Sequence, residues 1–248
     1  MYTFSFNGRS LLDFGAVMRQ RPTYNIAVRD INLSALPYRS GDEINDSGRY
    51  KNISFSIPIR TIPPLCALEP SEFSRTLSDW LIPGNGNTYR IYRDTYNLGF
   101  YRKAVITDID PVVAVKRDVL ETKITFNADP FLYSDAGLTP VVFTADNTYT
   151  VSESLTNPFT RESLPIIKIT GSGDFSCIFG GHAIIANDVE GGIVFDSPRQ
   201  EIYDLTGAAC NGLVSTIKLP VLMPGANQVY VTSEAAFSVE VTPNWRRL

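Results

Sequence analysis

The chain changes its hydrophobic period only once. Over most of its 248 residues apolar and polar side chains alternate at period two. A strand that alternates in this way buries one face and wets the other. Tyr2, Phe4 and Phe6 share a face before the turn signal Asn7-Gly8. In YKNISFSIPI the apolar set is Ile53, Phe55, Ile57 and Ile59. Pro58 falls among the polar positions, where a missing N–H implies an edge or a bulge. TYRIY and FYRKAVITDI continue the pattern, and DVLETKITFNA sets Leu120, Thr122, Ile124 and Phe126 on one side. These read as half-buried antiparallel strands.

The exception is EPSEFSRTLSDWLIPGNGN, where Phe73, Leu77, Trp80 and Leu81 fall at i, i+4, i+7 and i+8. That is the stripe of one helix face. Pro70-Ser71 gives a start, Glu72 suits the first turn, and Pro83-Gly84 gives a stop. The spacing predicts a helix lying on a sheet, anchored by Phe73, Leu77 and Trp80.

A boundary falls near NADPFLYSDAGLTP and divides the chain into domains 1–136 and 137–248. Beyond it the helical pattern is gone. PIIKIT, FSCIF, HAIIAN, GIVFD, EIYDL, STIKLPVL, QVYVT and FSVEV are short strands broken by GSGD, GGH, EGG, DSP and MPGAN. Many short strands at regular spacing suggest a β-sandwich. In the closing FSVEVTPNWRRL, Phe237, Val239 and Val241 alternate as a strand that completes the sandwich. Trp245 is expected to cover an edge of that core or of the domain junction, with Arg246 and Arg247 in water. A partner-docking tail is the other reading of these last residues.

Charge separates the halves. Residues 1–135 hold 16 basic and 15 acidic side chains, with 12 Arg against 4 Lys, whereas residues 136–248 hold 6 basic and 11 acidic. Arginine favours bidentate contacts at protein interfaces. A nucleic-acid binder carries a net basic footprint, and here the acids cancel it. Sequence-specific nucleic-acid binding is therefore not expected. No apolar run approaches the roughly 20 residues of a membrane helix. MYTFSFNGRS lacks the apolar segment of a signal peptide, so a membrane partner is not expected either. Cys66, Cys177 and Cys210 are odd in number and lack metal spacing, which points to reduced thiols acting as small apolar groups.

Catalytic patterns are missing. The one histidine, His182, follows FGG and reads as a turn residue. A triad needs a histidine beside a nucleophile and an acid, and a zinc site needs more N or S ligands. Asp108 and Asp110 share a strand face but lie at a strand end. Asp174, Asp188, Glu190 and Asp196 flank turns, without the D-x-D-x-D loop of a calcium site. GSGDFS has Ser176 where a dinucleotide loop has its third glycine, and no helix follows. GNG at 84–86 lacks the Lys-Ser/Thr of a phosphate loop. The expectation is a non-enzyme with no cofactor and no metal. What remains is the polar stretch 34–49, SALPYRSGDEINDSGR, which reads as a long loop between strands, either mobile or an ordered contact arm.

Several stretches, in this order, resemble the siphophage distal tail protein (Dit) family. They are FSFNGRSLLDFG, YKNISFSIPI, LSDWLIPGNGNTYRIYRD, GFYRKAVITDI and ETKITFNADPFLYSD in the first half. LPIIKITGSGDFSCIFGG, GGIVFDSPRQEIYD, VLMPGANQVYVT and FSVEVTPNWRRL follow in the second. The resemblance spans essentially the whole chain. It implies a mainly β fold, with an N-terminal tail-tube-like β domain carrying one α-helix and then a galectin-like β-sandwich. It implies a virion structural protein at the distal end of a phage tail, assembled in the host bacterial cytoplasm. Six copies would close into a ring, singly or as two stacked rings, leaving a channel for DNA. The ring would join the tail-tube protein to the tail-tip protein and hold receptor-binding proteins or side fibres. The 34–49 stretch matches the position of the long loop that tube-like domains lay on a neighbour, so Arg39, Asp42, Glu43, Asp46 and Arg49 are expected to contact an adjacent subunit. Three rivals are a carbohydrate-binding module or adhesin, a major tail-tube protein and a tail hydrolase, the last opposed by the missing catalytic residues. The second half lacks the His-Asn-Arg and Trp-Glu-Arg groupings of sugar-binding galectins, and a tube protein leaves that half unexplained.

Overall fold

The computed structural model describes residues 2–63, 65–82, 84, 88–116, 119–216 and 218–248. The stop signal Pro83 and the Asn85-Gly86 pair of GNG lie outside the described residues, as do Asp118 and Ile217 of the strand readings. The molecule is mainly β. Its described residues form two compact units, 2–132 with Leu248, and 133–247.

The first unit contains β1 (Phe4–Phe6), β2 (Arg9–Ser10), β3 (Ala16–Met18), β4 (Arg29–Ala35), β5 (Asp42–Tyr50) and β6 (Ile53–Thr61). Helix α1 (Pro70–Leu81) follows, then β7 (Arg90–Asp94), β8 (Phe100–Ile109), β9 (Val113–Lys116) and β10 (Val119–Ala128). The main sheet runs β2-β1-β7-β8-β10-β6-β3, with β9 on β10. Strand β6 alternates strictly, burying Ile53, Phe55, Ile57, Ile59 and Thr61. Pro58 sits between two strands and not at an outer edge: it pairs with Lys123 of β10. On its other side β3 ends at Met18, and Arg19 still donates its N–H to the Pro58 carbonyl (2.9 Å). The proline cannot return a second bond, so the ladder stops there.

Phe4, Phe6, Phe55, Tyr92 and Phe126 form the aromatic centre of this core. Helix α1 lies on it through Phe73, Leu77, Trp80 and Leu81, all buried. Pro70 occupies the first turn, where its lost N–H is not needed. The Trp80 ring stacks on Phe14 (centroids 4.4 Å) and Phe4 (5.7 Å), and its Nε1–H donates to the Phe6 carbonyl at 3.0 Å.

Strand β11 (Leu132–Ser134) starts on the last residue of the first unit, and the second unit continues with β12 (Val141–Thr144), β13 (Thr150–Asn157), β14 (Ile166–Thr170), β15 (Gly173–Phe179), β16 (His182–Val189) and β17 (Gly192–Asp196). Then come β18 (Glu201–Asp204), β19 (Val214–Ser215), β20 (Gly225–Thr232), β21 (Ser238–Thr242) and β22 (Arg246–Arg247). Two five-stranded sheets, β12-β21-β14-β17-β18 and β13-β20-β15-β16-β19, enclose a second core of Ile167, Phe175, Phe179, Phe195, Val229 and their neighbours. This is a β-sandwich. Strands β12 and β13 are absent from the sequence reading, and among the described residues of STIKLPVL pairing is confined to Ser215, the end of β19, and an isolated bridge at Leu222.

Candidate assembly surfaces

The stretch expected as a loop is largely strand. Among the described residues, β4 and β5 pair with each other and with no other strand. The register sets Ile31 opposite Asp46, Leu33 opposite Ile44 and Ala35 opposite Asp42. Directly opposed residues share a face, so Ile31, Leu33, Ala35 and Ile44 make one apolar face with Asp42 and Asp46 among them. Asn32, Ser34, Glu43 and Asn45 make the other. The apolar face is in water: Ile31, Leu33 and Ile44 are 40%, 58% and 67% exposed. The sequence hides this hairpin because DEINDSGRY has one large apolar residue, Ile44, before Tyr50, too few to show alternation.

The five residues expected at an interface lie on this hairpin but play different parts. Arg39 is in the tip, beside Tyr38 with its positive φ of 60°. Asp42 and Asp46 join the apolar face, and Glu43 faces the opposite way. Asp46 Oδ2 lies 3.1 Å from Arg29 Nε, and Arg49 Nη2 lies 2.7 Å from Asp30 Oδ2, with Lys51 Nζ 3.5 Å from the other oxygen. The Arg49 hydrogen bond holds the Asp30 carboxyl below the usual carboxylate range. Arg29 and Asp30 were missed by sequence, since their partners follow only from the strand register. Asp46 and Arg49 therefore brace the hairpin, while Arg39, Asp42 and Glu43 make no ion pair among the described residues.

The closing residues of the second unit are built into it. Phe237, Val239 and Val241 are buried, and β21 is an inner strand between β12 and β14. Trp245 is buried in the sandwich core, and its carbonyl accepts from Ser134 N–H at 2.9 Å. A Cβ on Gly137 would meet Trp245 N at 2.3 Å, so only glycine permits this approach. Arg246 corrects the expectation of two wet arginines. It is buried, and its Nε donates to the Glu162 carbonyl (2.8 Å) with Nη2 3.4 Å from the Glu162 carboxylate. Arg247 is exposed.

The titratable groups form structural pins. Tyr24 donates to Asp94, whose carboxylate also accepts from Tyr96 N–H (2.7 Å) and Asn97 N–H (2.9 Å), while the Tyr24 and Tyr92 hydroxyls lie 3.1 Å apart. Burial and the Asp94 charge raise the Tyr24 pKa well above the ordinary tyrosine value. Burial pushes the Cys177 thiol up to about 12, and all three cysteines are free. His182 opens β16 and pairs with Phe179 across the Gly180-Gly181 turn. Asp110 meets Lys123 Nζ at 2.9 Å. Asp174 accepts from the Asp188 N–H at 2.8 Å. Among the described residues no group of three or more His, Cys, Asp or Glu is placed to hold a metal ion. No helix among them is long and apolar enough to cross a membrane.

This order, a one-helix β unit and then a β-sandwich, is shared with two solved phage proteins. The SPP1 Dit (gp 19.1) protein, described as a paradigm of the hub adsorption apparatus in phages infecting Gram-positive bacteria, superposes with a TM-score of 0.60 at 11% identity, over 100% of both chains. A chain of the phage P2 baseplate, solved in its activated conformation with Ca, gives 0.51 at 8% identity over 97% of each chain. No protein-family model matches the sequence, and no curated protein does.

Proposed function

We propose that this chain is a structural hub subunit of a siphophage tail. In this reading six copies close into a ring between the tail-tube protein and the tail-tip protein, with a central passage for DNA and receptor-binding proteins or side fibres held outside. The observation that carries it is the likeness to the SPP1 hub protein over the full length of both chains. The surface supports it. Most of the exposed large apolar side chains lie in residues 2–132, where ring contacts would cover them. A lone two-stranded hairpin is marginal in water, so an exposed β4–β5 pair with an apolar face suits a subunit that lays it on a neighbour. A head-to-tail ring uses two different faces of each subunit. In this reading Ile31, Leu33 and Ile44 carry the contact, Arg39, Asp42 and Glu43 meet the neighbour's charges, and Asp46 and Arg49 hold the hairpin in shape.

The test is native mass with negative-stain imaging. Six chains of 27.5 kDa give a ring of about 165 kDa, and two stacked rings give twice that. A ring at either mass supports the hub, whereas filaments point to a tube protein. A chain that remains monomeric even with the tube and tip proteins added overturns the ring.

A further inference from the structure

Strand β13 is an open edge unlike the other edges of its unit. Edge strands β12 and β18 have four residues each and β19 has two, whereas β13 has eight. It pairs with β20 from Thr150↔Thr232 to Asn157↔Gly225 without a bulge. Proteins ordinarily blunt such edges with short strands, prolines, bulges or inward-pointing charges. Of these β13 carries only a charge, Glu153.

The direction of its backbone groups follows from its two ends. Tyr149 turns its carbonyl toward β20, where Ser233 N–H donates to it at 3.2 Å. Thr150 turns the other way: its carbonyl accepts from Asp146 N–H and its N–H donates to Asp146 Oδ1, each at 3.0 Å. Successive residues of a strand alternate in this respect. Val151, Glu153, Leu155 and Asn157 therefore bond to β20. Ser152, Ser154 and Thr156 present their N–H and C=O groups to the open side, with no partner among the described residues. The side chains of Val151, Glu153 and Leu155 point to the core side of the sheet. Val151 is buried, Leu155 is half-buried, and Glu153 between them is exposed and makes no ion pair.

We propose that β13 accepts an extended segment of a partner protein as an added strand. The segment carries a basic residue opposite Glu153 and apolar residues two positions to either side, opposite Val151 and Leu155. Main-chain bonds to Ser152, Ser154 and Thr156 supply the affinity, and the apolar–basic–apolar row supplies the choice. Residues 136–248, with 11 acidic side chains against 6 basic, favour a basic visitor. A second copy of this chain is the wrong occupant. Antiparallel self-pairing about the middle of β13 brings Glu153 against or beside its own mate, and like charges across strands destabilise.

The probe is the peptide Thr-Val-Thr-Lys-Thr-Val-Thr-amide, labelled with fluorescein on its N-terminal amine and titrated with the full chain by fluorescence anisotropy beside its Lys→Glu version. The Lys peptide should bind at least tenfold more tightly, and Glu153→Lys should invert that order. Ser154→Pro removes an N–H that β20 does not use, so it should abolish binding while leaving Tm unchanged. Any of three results overturns the proposal: no binding at millimolar peptide, equal binding of both peptides, or binding that survives Ser154→Pro. A concentration-dependent dimer of the free chain that Ser154→Pro dissolves would make the occupant a second copy and overturn the heterologous partner.

Discussion

Trp80 and Tyr24 are both single residues on which the first core depends, yet only one was visible in sequence. Trp80 announces itself through spacing, because Phe73, Leu77, Trp80 and Leu81 are neighbours on a helix whatever lies beneath. Tyr24 belongs to no periodic run, and its partners Tyr92 and Asp94 are about seventy residues away in sequence. Only the fold brings them together. The arginine excess has a similar explanation. Arg9, Arg21, Arg29, Arg93 and Arg102 lie over the rings of Phe14, Tyr96, Tyr50, Tyr101 and Tyr24. Part of what suggested interfaces thus serves packing within the unit, where a planar guanidinium stacks better than an ammonium. The Tyr24 pin makes a pH prediction. Its hydroxyl keeps its proton more tightly in the folded chain than in the unfolded one. Its contribution is complete below the ordinary tyrosine pKa of about 10 and falls as pH rises above it, because the unfolded chain then releases a proton that the folded chain retains. Urea titrations across this range should show wild-type stability falling more steeply than that of Tyr24→Phe. Parallel slopes would mean that Tyr24 does not couple folding to pH.

Elements were legible in proportion to how much apolar surface they bury. Strands β6 and β10 bury one full face each and stand out as alternation; β21 does the same in the second unit. Strand β13 went unseen because TVSESLTN buries only its ends, at Val151 and Asn157, and carries serine, glutamate and threonine between them. Strand β5 went unseen for the same reason. Polar strands are held by the ladder, and a ladder leaves little trace in composition. Strands β5 and β13, both largely exposed, were thus missed, as was the short β12. For β4–β5 the expected outcome separates contact from fold. Leu33→Thr with Ile44→Thr changes side chains that already face water and sets no like charges across the pair, so stability should move by no more than about 0.5 kcal/mol. In the ring reading the same double variant loses assembly, shown by mass photometry as monomer where wild type gives rings. Full rings from the variant would remove this face from the interface.

For the whole molecule, what matters is that the two cores are closed in sequence. Every buried residue of the first hydrophobic cluster lies between Phe4 and Ala128, and every one of the second between Val151 and Trp245. A unit with its own core is a candidate to fold by itself. The charge and the exposed apolar surface divide at the same place: the first unit is nearly neutral, Arg-rich and apolar at its surface, and the second is acidic and better wetted. We propose that the first unit carries the contacts between copies and the second presents outward surfaces, β13 among them. Expressed alone, residues 133–248 should then unfold in one cooperative transition and sediment as a monomer at every concentration. Residues 1–132 should retain the tendency to associate, and should co-assemble with the full chain. If the second fragment multimerises and the first stays monomeric when mixed with the full chain, the contacts lie in the sandwich and the division of labour is reversed. If the second fragment fails to fold while the full chain is stable, the closed core does not suffice for independence, and the chain is one cooperative unit.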